Sequence, residues 1–246
     1  MKAMILAAGL GTRLRPLTDS RPKALVELSG RTLLEIALAR LRTFGVTEAI
    51  INVHHFADQV TGYLKFRNNF GMRIEISHED VLLDTGGGLK KAAWFFLEDP
   101  ARLDAPFVLH NVDVISNIDL QAMLQFHTEN RALATLAVQS RESSRQLLFD
   151  DHHQLSGRRA GSAQEPEIIR PAAHLDALAF SGIHLISPRL LPMLTEEGIF
   201  SIIPSYLRLS AQSQKILAFR ADQYYWRDLG RSSDLAQAAL DLIQLG

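Results

Sequence analysis

The sequence contains no cysteine. That excludes disulfides, thiolate zinc sites and cysteine nucleophiles, and it fits a reducing compartment. It also lacks charge of one sign: 26 basic side chains face 27 acidic ones, a net charge of −1. A balance of this kind gives no global field to hold nucleic acid or an anionic membrane, so neither partner is expected. A polyanionic ligand has to be held by a local group of cations and backbone N–H donors. No apolar run approaches the roughly 20 residues that cross a bilayer. The N-terminal apolar run is short and ends in a glycine turn, unlike a signal peptide. A soluble cytoplasmic protein, a monomer or small homo-oligomer, is the expectation. No His-Glu-x-x-His and no Gly-x-Ser-x-Gly occurs, which argues against a zincin or a serine hydrolase. The adjacent pairs His54-His55 and His152-His153 cannot easily share one metal, because neighbouring residues on a strand point to opposite faces.

What is present is a core. Hydrophobic residues make up 47% of 246 positions, enough for one large α/β domain. Residues 3–8 are apolar on both faces, as in a buried parallel strand. Strands are also expected at 48–54, 72–78, 106–110, 132–139, 178–186 and 215–219. Helices are expected at 32–44, closed by Gly45, and at 57–66, 119–130 and 201–211. Another is expected to begin within Gly86-Gly87-Gly88 and run to about Leu97, and a terminal one near Ser232, with Leu235, Ala239 and Leu242 as its apolar stripe. Alternating strands and helices predict a mostly parallel sheet covered on both faces. Ligands bind such sheets outside the carboxyl ends of the strands, here in the loops after residues 8, 78 and 110. The polar segment 145–177 reads as a surface hairpin or mobile flap.

Four constellations carry chemistry. The first is Leu6-Ala7-Ala8-Gly9-Leu10-Gly11-Thr12-Arg13-Leu14-Arg15-Pro16-Leu17-Thr18, followed by Pro22-Lys23. Gly9 and Gly11 allow a tight bend that turns backbone N–H groups towards phosphate oxygens. Arg13 offers a planar fork and Lys23 a mobile point charge, both suited to a triphosphate. The loop is neither a Walker A motif nor the dinucleotide fingerprint, whose third glycine is missing. The second is Leu83-Asp84-Thr85-Gly86-Gly87-Gly88, where glycines permit close backbone approach and a helix N-terminus adds favourable polarity for an anion. The third is His110-Asn111-Val112-Asp113-Val114, which sets a carboxylate at the end of a buried strand, where it can bind Mg²⁺. The fourth is Tyr224-Tyr225-Trp226-Arg227-Asp228-Leu229-Gly230. Phe180-Ser181-Gly182-Ile183 is a weaker fifth signal.

At these residues the chain resembles the sugar-phosphate nucleotidyltransferases. The family pattern is Gly-x-Gly-Thr-Arg-Leu-x-Pro-Leu-Thr, with Pro-Lys a few residues on, and the resemblance extends over nearly all 246 residues. It implies a Rossmann-like α/β fold in one domain, with residues 1–140 as a nucleotide-binding half and 141–246 as a sugar-binding half. It implies an enzyme that makes an NDP-sugar and pyrophosphate from a nucleoside triphosphate and a sugar 1-phosphate. Residues Leu6, Ala7, Ala8, Gly9, Gly11 and Thr12 would bind nucleotide with Arg13 and Lys23, which also stabilise charge during transfer. Thr85 and Gly86 would line the base and ribose, and Asn111 and Gly182 the sugar phosphate. Asp113 and Asp228 would bind Mg²⁺. Val112 departs from the family's usual glycine, and Glu165-Pro166-Glu167 is a poor match to its acidic sugar contact. A catalytically silent, regulatory homologue would lack Arg13, Lys23, Asp113 or Asp228, and all four are present. Within the family, the short length, the turn Thr85–Gly88 and the absence of hexapeptide repeats resemble the branch that joins UTP to N-acetylmuramic acid 1-phosphate. GTP with mannose or heptose 1-phosphate is the alternative. The lactyl carboxylate of N-acetylmuramic acid needs a cation, for which Arg141, Arg145 and Arg170 are candidates.

Overall fold

The computed structural model describes residues 1–100, 103–160 and 165–245. In chain order the elements are β1 (Lys2–Leu6), β2 (Glu27–Leu28), β3 (Arg31–Thr32), α1 (Leu33–Thr43), β4 (Glu48–Val53), α2 (Ala57–Phe66), β5 (Arg73–His78), α3 (Asp84–Lys91), α4 (Ala93–Leu97), β6 (Phe107–Asn111) and β7 (Val114–Ser116). They continue with α5 (Leu120–Glu129), β8 (Ala134–Gln139), β9 (Arg145–Phe149), β10 (Leu155–Ala160), β11 (Glu167–Ile168), β12 (Asp176–Ile186), α6 (Ile202–Ala211), β13 (Ile216–Arg220), β14 (Trp226–Asp228) and α7 (Ser232–Leu245).

The main sheet is mixed. Strands β5, β4, β1 and β6 are parallel neighbours, and β12 then runs antiparallel to β6. Beyond it, β8 pairs antiparallel with β12 and parallel with β13. Two antiparallel neighbours in succession return β8 to the direction of β1 and β6. The carboxyl ends of all three therefore lie along one edge.

Each strand's alternation divides the core. Met4, Ile50, Leu109 and Phe107 face one layer with Leu89, Phe95 and Tyr206. Ala3, Ile5, Ile51 and Val108 face the other, against Leu34, Leu38, Leu41 and Val60. A smaller cluster of Leu14, Leu28, Leu33, Ile115 and Leu229 packs beneath the glycine loop. The helix caps follow the sequence: Thr32 accepts from Glu35 N, Asp119 from Gln121 N and Ala122 N, and Ser201 from Ile203 N. Gly45, at φ 85°, follows α1 as expected.

The structure corrects three readings. Helix α3 starts at Asp84, ahead of the glycines, which are buried inside its first turns. They serve packing as well as entry: a Cβ on Gly86 would lie 2.4 Å from the Phe200 ring, and one on Gly87 2.5 Å from Gly198 O. The expected single helix to residue 97 divides at Ala92 into α3 and α4. Of the two readings of segment 145–177, the hairpin holds, but where it is described it is not confined to the surface. The segment begins with the β9–β10 hairpin, which β11 extends, and Leu147, Leu148, Phe149 and Leu155 are buried in the core. Residues 161–164 of that segment, and the side chain of Leu242, lie outside the described residues. No described helix is long and apolar enough to cross a membrane.

Candidate active site

The glycine loop leaves β1 at Leu6 and is held from both sides. Ala7 N donates to Asn52 Oδ1 at 2.7 Å, and Val112 N donates to Leu6 O at 3.1 Å. The Ala7 bond explains why the strand stops short of the expected residue 8: the amide leaves the ladder for a side chain. Asn52 in turn donates to Glu79 Oε1 at 2.7 Å, while Glu79 Oε2 accepts from Leu83 N at 2.9 Å. This buried Asn52–Glu79 hub couples the glycine loop to the turn before α3, and the sequence reading missed it. Its only local signal is a polar pair at strand ends.

Gly11 takes φ 65°, and a Cβ there would press on Thr18 Cγ2 at 2.9 Å. Thr18 Oγ1 donates back to Gly11 O at 2.8 Å. A single 3₁₀ turn, Thr12–Leu14, follows, and its Leu14 is fully buried. That anchor leaves Arg13 projecting, with 60% of its side chain exposed. Lys23 sits in a second 3₁₀ turn after Pro22, and its Nζ donates to Asp113 Oδ2 in a short ion pair. Both side chains are largely buried.

Asp113 and Asp228 are 115 positions apart in the chain, and two-strand ladder β7–β14 joins them. Asp228 pairs with Val114, and Leu229 N donates to Asp113 O at 2.8 Å. Burial, and then repulsion from Asp113, push the Asp228 carboxyl above its ordinary value, with Lys23 and Arg13 opposing the rise. Arg13 Nη2 stands 4.0 Å from Asp228 Oδ1. Gly230 lets these two groups approach, since a Cβ on it would lie 2.5 Å from both.

A cavity of about 240 Å³ opens here, lined by Leu6, Ala7, Gly9, Gly11, Thr12, Arg13, Lys23, Val112, Asp113 and Gly230. Most of the residues read from the first and third motifs thus surround one space. Val112 lines it too, while its side chain packs into the core. Asn111 and Gly182 adjoin each other: Gly182 has φ 72°, and a Cβ on it would lie 2.8 Å from Asn111 Nδ2. Thr85 and Gly86 stand apart from the cavity lining. Gly86 N donates to Phe200 O at 2.9 Å, and Thr85 Oγ1 accepts from Ile202 N at 3.0 Å. The helix N-terminus that the sequence offered to an anion is therefore partly engaged by the chain before α6.

Elsewhere, His54 Nδ1 contacts Glu79 O at 2.8 Å, and His152 and His153 are exposed. Among the described residues, no cluster of three or more His, Cys, Asp or Glu side chains is arranged for a metal. Two carboxylates remain, Asp113 and Asp228. That is a donor set Mg²⁺ accepts, since it completes its octahedron with water and substrate phosphate.

The sequence profile of the nucleotidyl transferase family matches residues 2–147. N-acetylmuramate alpha-1-phosphate uridylyltransferase of Caulobacter vibrioides is 35% identical over 218 residues, which cover 86% of this chain and 85% of the relative. Mannose-1-phosphate guanyltransferase beta-B of Xenopus laevis is 30% identical over 241 residues, 95% of this chain but only 62% of that longer protein. Among solved structures, HddC from Yersinia pseudotuberculosis complexed with GMP-PN superposes with a TM-score of 0.77 at 20% identity, covering 98% of this chain and 99% of that one. A UDP-glucose pyrophosphorylase complexed with UDP-glucose gives 0.76 at 16% identity, covering 100% and 99%. The chain belongs to the sugar-phosphate nucleotidyltransferase family.

Proposed function

We propose that this chain transfers a uridylyl group from UTP to N-acetylmuramic acid 1-phosphate in the cytoplasm, releasing pyrophosphate, with Mg²⁺ as its metal. The observation that carries the reaction type is the convergence of Arg13, Lys23, Asp113 and Asp228 beside the Gly9–Thr12 backbone. In-line attack by a sugar 1-phosphate oxygen on the α-phosphorus needs no covalent enzyme intermediate. What it needs is alignment and charge stabilisation.

The loop's backbone amides would receive the phosphates. Lys23, already close to Asp113, would counter charge at the α-phosphate. Arg13, more exposed, would counter charge on the leaving pyrophosphate. Asp113 and Asp228 would hold the Mg²⁺, which when bound supplies positive charge to the reacting phosphates. The UTP and N-acetylmuramate choice rests on the Caulobacter relative, which this chain matches over most of both lengths. GTP with mannose 1-phosphate is the second reading, favoured by the guanyltransferase match over 95% of this chain.

The test is pyrophosphate release across a matrix of nucleoside triphosphates and sugar 1-phosphates, with Mg²⁺ and with EDTA. The expected result is the highest kcat/KM for UTP with N-acetylmuramic acid 1-phosphate, abolished by EDTA. A higher value for a GTP pair would move the assignment to a guanylyltransferase. Release with no pair would favour a silent, regulatory homologue.

A further inference from the structure

Three arginines of the second half were candidates for an anionic group on the sugar, and the structure separates them. Arg145 begins β9 and is exposed. Arg170 donates to Ser210 O at 3.3 Å, against α6. Arg141 alone of the three lies just beyond the carboxyl end of β8, on the edge that also carries the loops after β1 and β6.

Its guanidinium is clamped in place. The guanidinium carbon lies 3.7 Å from the centre of the Trp226 ring, and Nη2 donates to Phe180 O at 2.8 Å. Trp226 is itself fixed, with Nε1 donating to Ser181 O at 2.7 Å. Trp226 and Asp228 are two residues apart on β14 and share one face of it. Asp228 attracts the guanidinium through space, but among the described residues no carboxylate forms an ion pair with it. Arg141 Nε is buried with no hydrogen-bond partner, and so is the hydroxyl of Ser181 next to Gly182. A half-buried guanidinium stacked on an aromatic ring, with no carboxylate paired to it among the described residues, is suited to receive an anion. The stacking holds the planar fork in one orientation and so lowers the ordering cost of binding.

We propose that Arg141 binds an anionic oxygen group of the sugar substrate, its 1-phosphate or the carboxylate of an acidic sugar. The inference rests on the nucleotidyltransferase reading. It extends that reading to a residue outside the four motifs.

The experiment compares wild type with Arg141→Met and Arg141→Lys. KM for UTP and KM for the sugar 1-phosphate are measured separately, using N-acetylmuramic acid 1-phosphate and its carboxylate-free counterpart N-acetylglucosamine 1-phosphate. Arg141→Met is expected to raise the sugar-phosphate KM about tenfold or more while leaving the UTP KM within about twofold, the loss of one charge-assisted hydrogen bond. Arg141→Lys, which keeps the charge but not the fork, should recover part of that loss. A rise for both sugars identifies the phosphate as the group bound, and a rise confined to N-acetylmuramic acid 1-phosphate identifies the carboxylate. An unchanged sugar-phosphate KM in both variants, or equal rises for UTP and sugar, would overturn the proposal. Calorimetric binding of the sugar 1-phosphates to the same proteins gives a readout independent of turnover. If wild type released no pyrophosphate yet bound the sugar phosphate through Arg141, the function would fail and this inference would stand.

Discussion

At the scale of single residues, the two aspartates differ although both are metal candidates. Asp113 is balanced by Lys23, whereas Asp228 faces burial and Asp113 with less help. Their neutral variants should therefore act in opposite directions on stability. Asp113→Asn leaves Lys23 buried with a weaker partner, and the protein in EDTA should lose stability by up to about 3 kcal/mol. Asp228→Asn removes a carboxylate whose ionised form is disfavoured in the fold, so the melting temperature in EDTA at pH 7 should rise. The sign follows from linkage. A raised carboxyl pKa gives stability that is present below the usual value of about 4 and lost as pH climbs through the folded value. The advantage of Asp228→Asn should accordingly shrink as the pH falls towards about 4. Melting curves of both variants against pH check this, and a common direction of shift would refute the asymmetry. Turnover with Mg²⁺ should fall by about 10² or more in each, because a neutral amide binds a hard cation weakly. Lys23→Ala and Arg13→Ala should each lower kcat by roughly 10²-fold, the usual effect of deleting one transition-state charge contact. Unchanged kcat would make either residue a bystander.

At the scale of elements, helix α3 shows what local reading can and cannot see. Three successive glycines are poor helix formers, so sequence logic put them at the helix entry. The helix forms around them because α3 packs so closely on the segment before α6. Phe200 O accepts from both Gly86 N and Gly87 N, and Gly88 leaves room for Glu79 and Asn52. Replacing glycine by alanine in a helix normally stabilises it by up to about 1 kcal/mol. Here Gly86→Ala should instead destabilise by about 1–3 kcal/mol, because its Cβ would overlap the Phe200 ring. Chemical denaturation gives the sign directly, and a stabilised variant would show that Phe200 swings away at little cost. Helices α1, α2, α5 and α6 were legible to within a residue or two, since apolar spacing is a local signal, to which α1, α5 and α6 add a Thr, Asp or Ser cap. The three-residue strands β7 and β14 were not, because nothing in so short a run distinguishes a ladder from a turn. Yet that ladder is what brings Asp113 to Asp228.

At the scale of the whole molecule, burial of three histidines ties stability to pH. His110 and His127 are lowered to about 4 and His184 to about 3, in each case chiefly by burial. Their partners are Asn111 O for His110, Thr135 and Ser187 hydroxyls for His127, and the Tyr206 hydroxyl for His184. A histidine lowered in the fold contributes stability that is present above its unfolded value of about 6.5 and is lost as pH falls below it. The protein should therefore lose stability steadily between about pH 6.5 and pH 4, with the unfolded chain taking up the protons. A melting temperature independent of pH over that interval would contradict the buried neutral histidines. His127→Asn should reduce the slope.

The sequence by itself determined the α/β class, the strand that carries the glycine loop, and the identity of most side chains around the cavity. These depend on periodicity, on caps, and on glycines and cations a few residues apart in the chain, all of which are local. Only the tertiary structure decided which of them meet. It placed Asp228 against Asp113 and set the buried Asn52–Glu79 hub under the loop. It turned the Thr85-Gly86 amide and hydroxyl towards the segment before α6, and chose Arg141 among three arginines by stacking it on Trp226. Each of those contacts joins residues far apart in the chain, and such pairings depend on how a mixed sheet closes its edge, which no window of neighbouring residues contains.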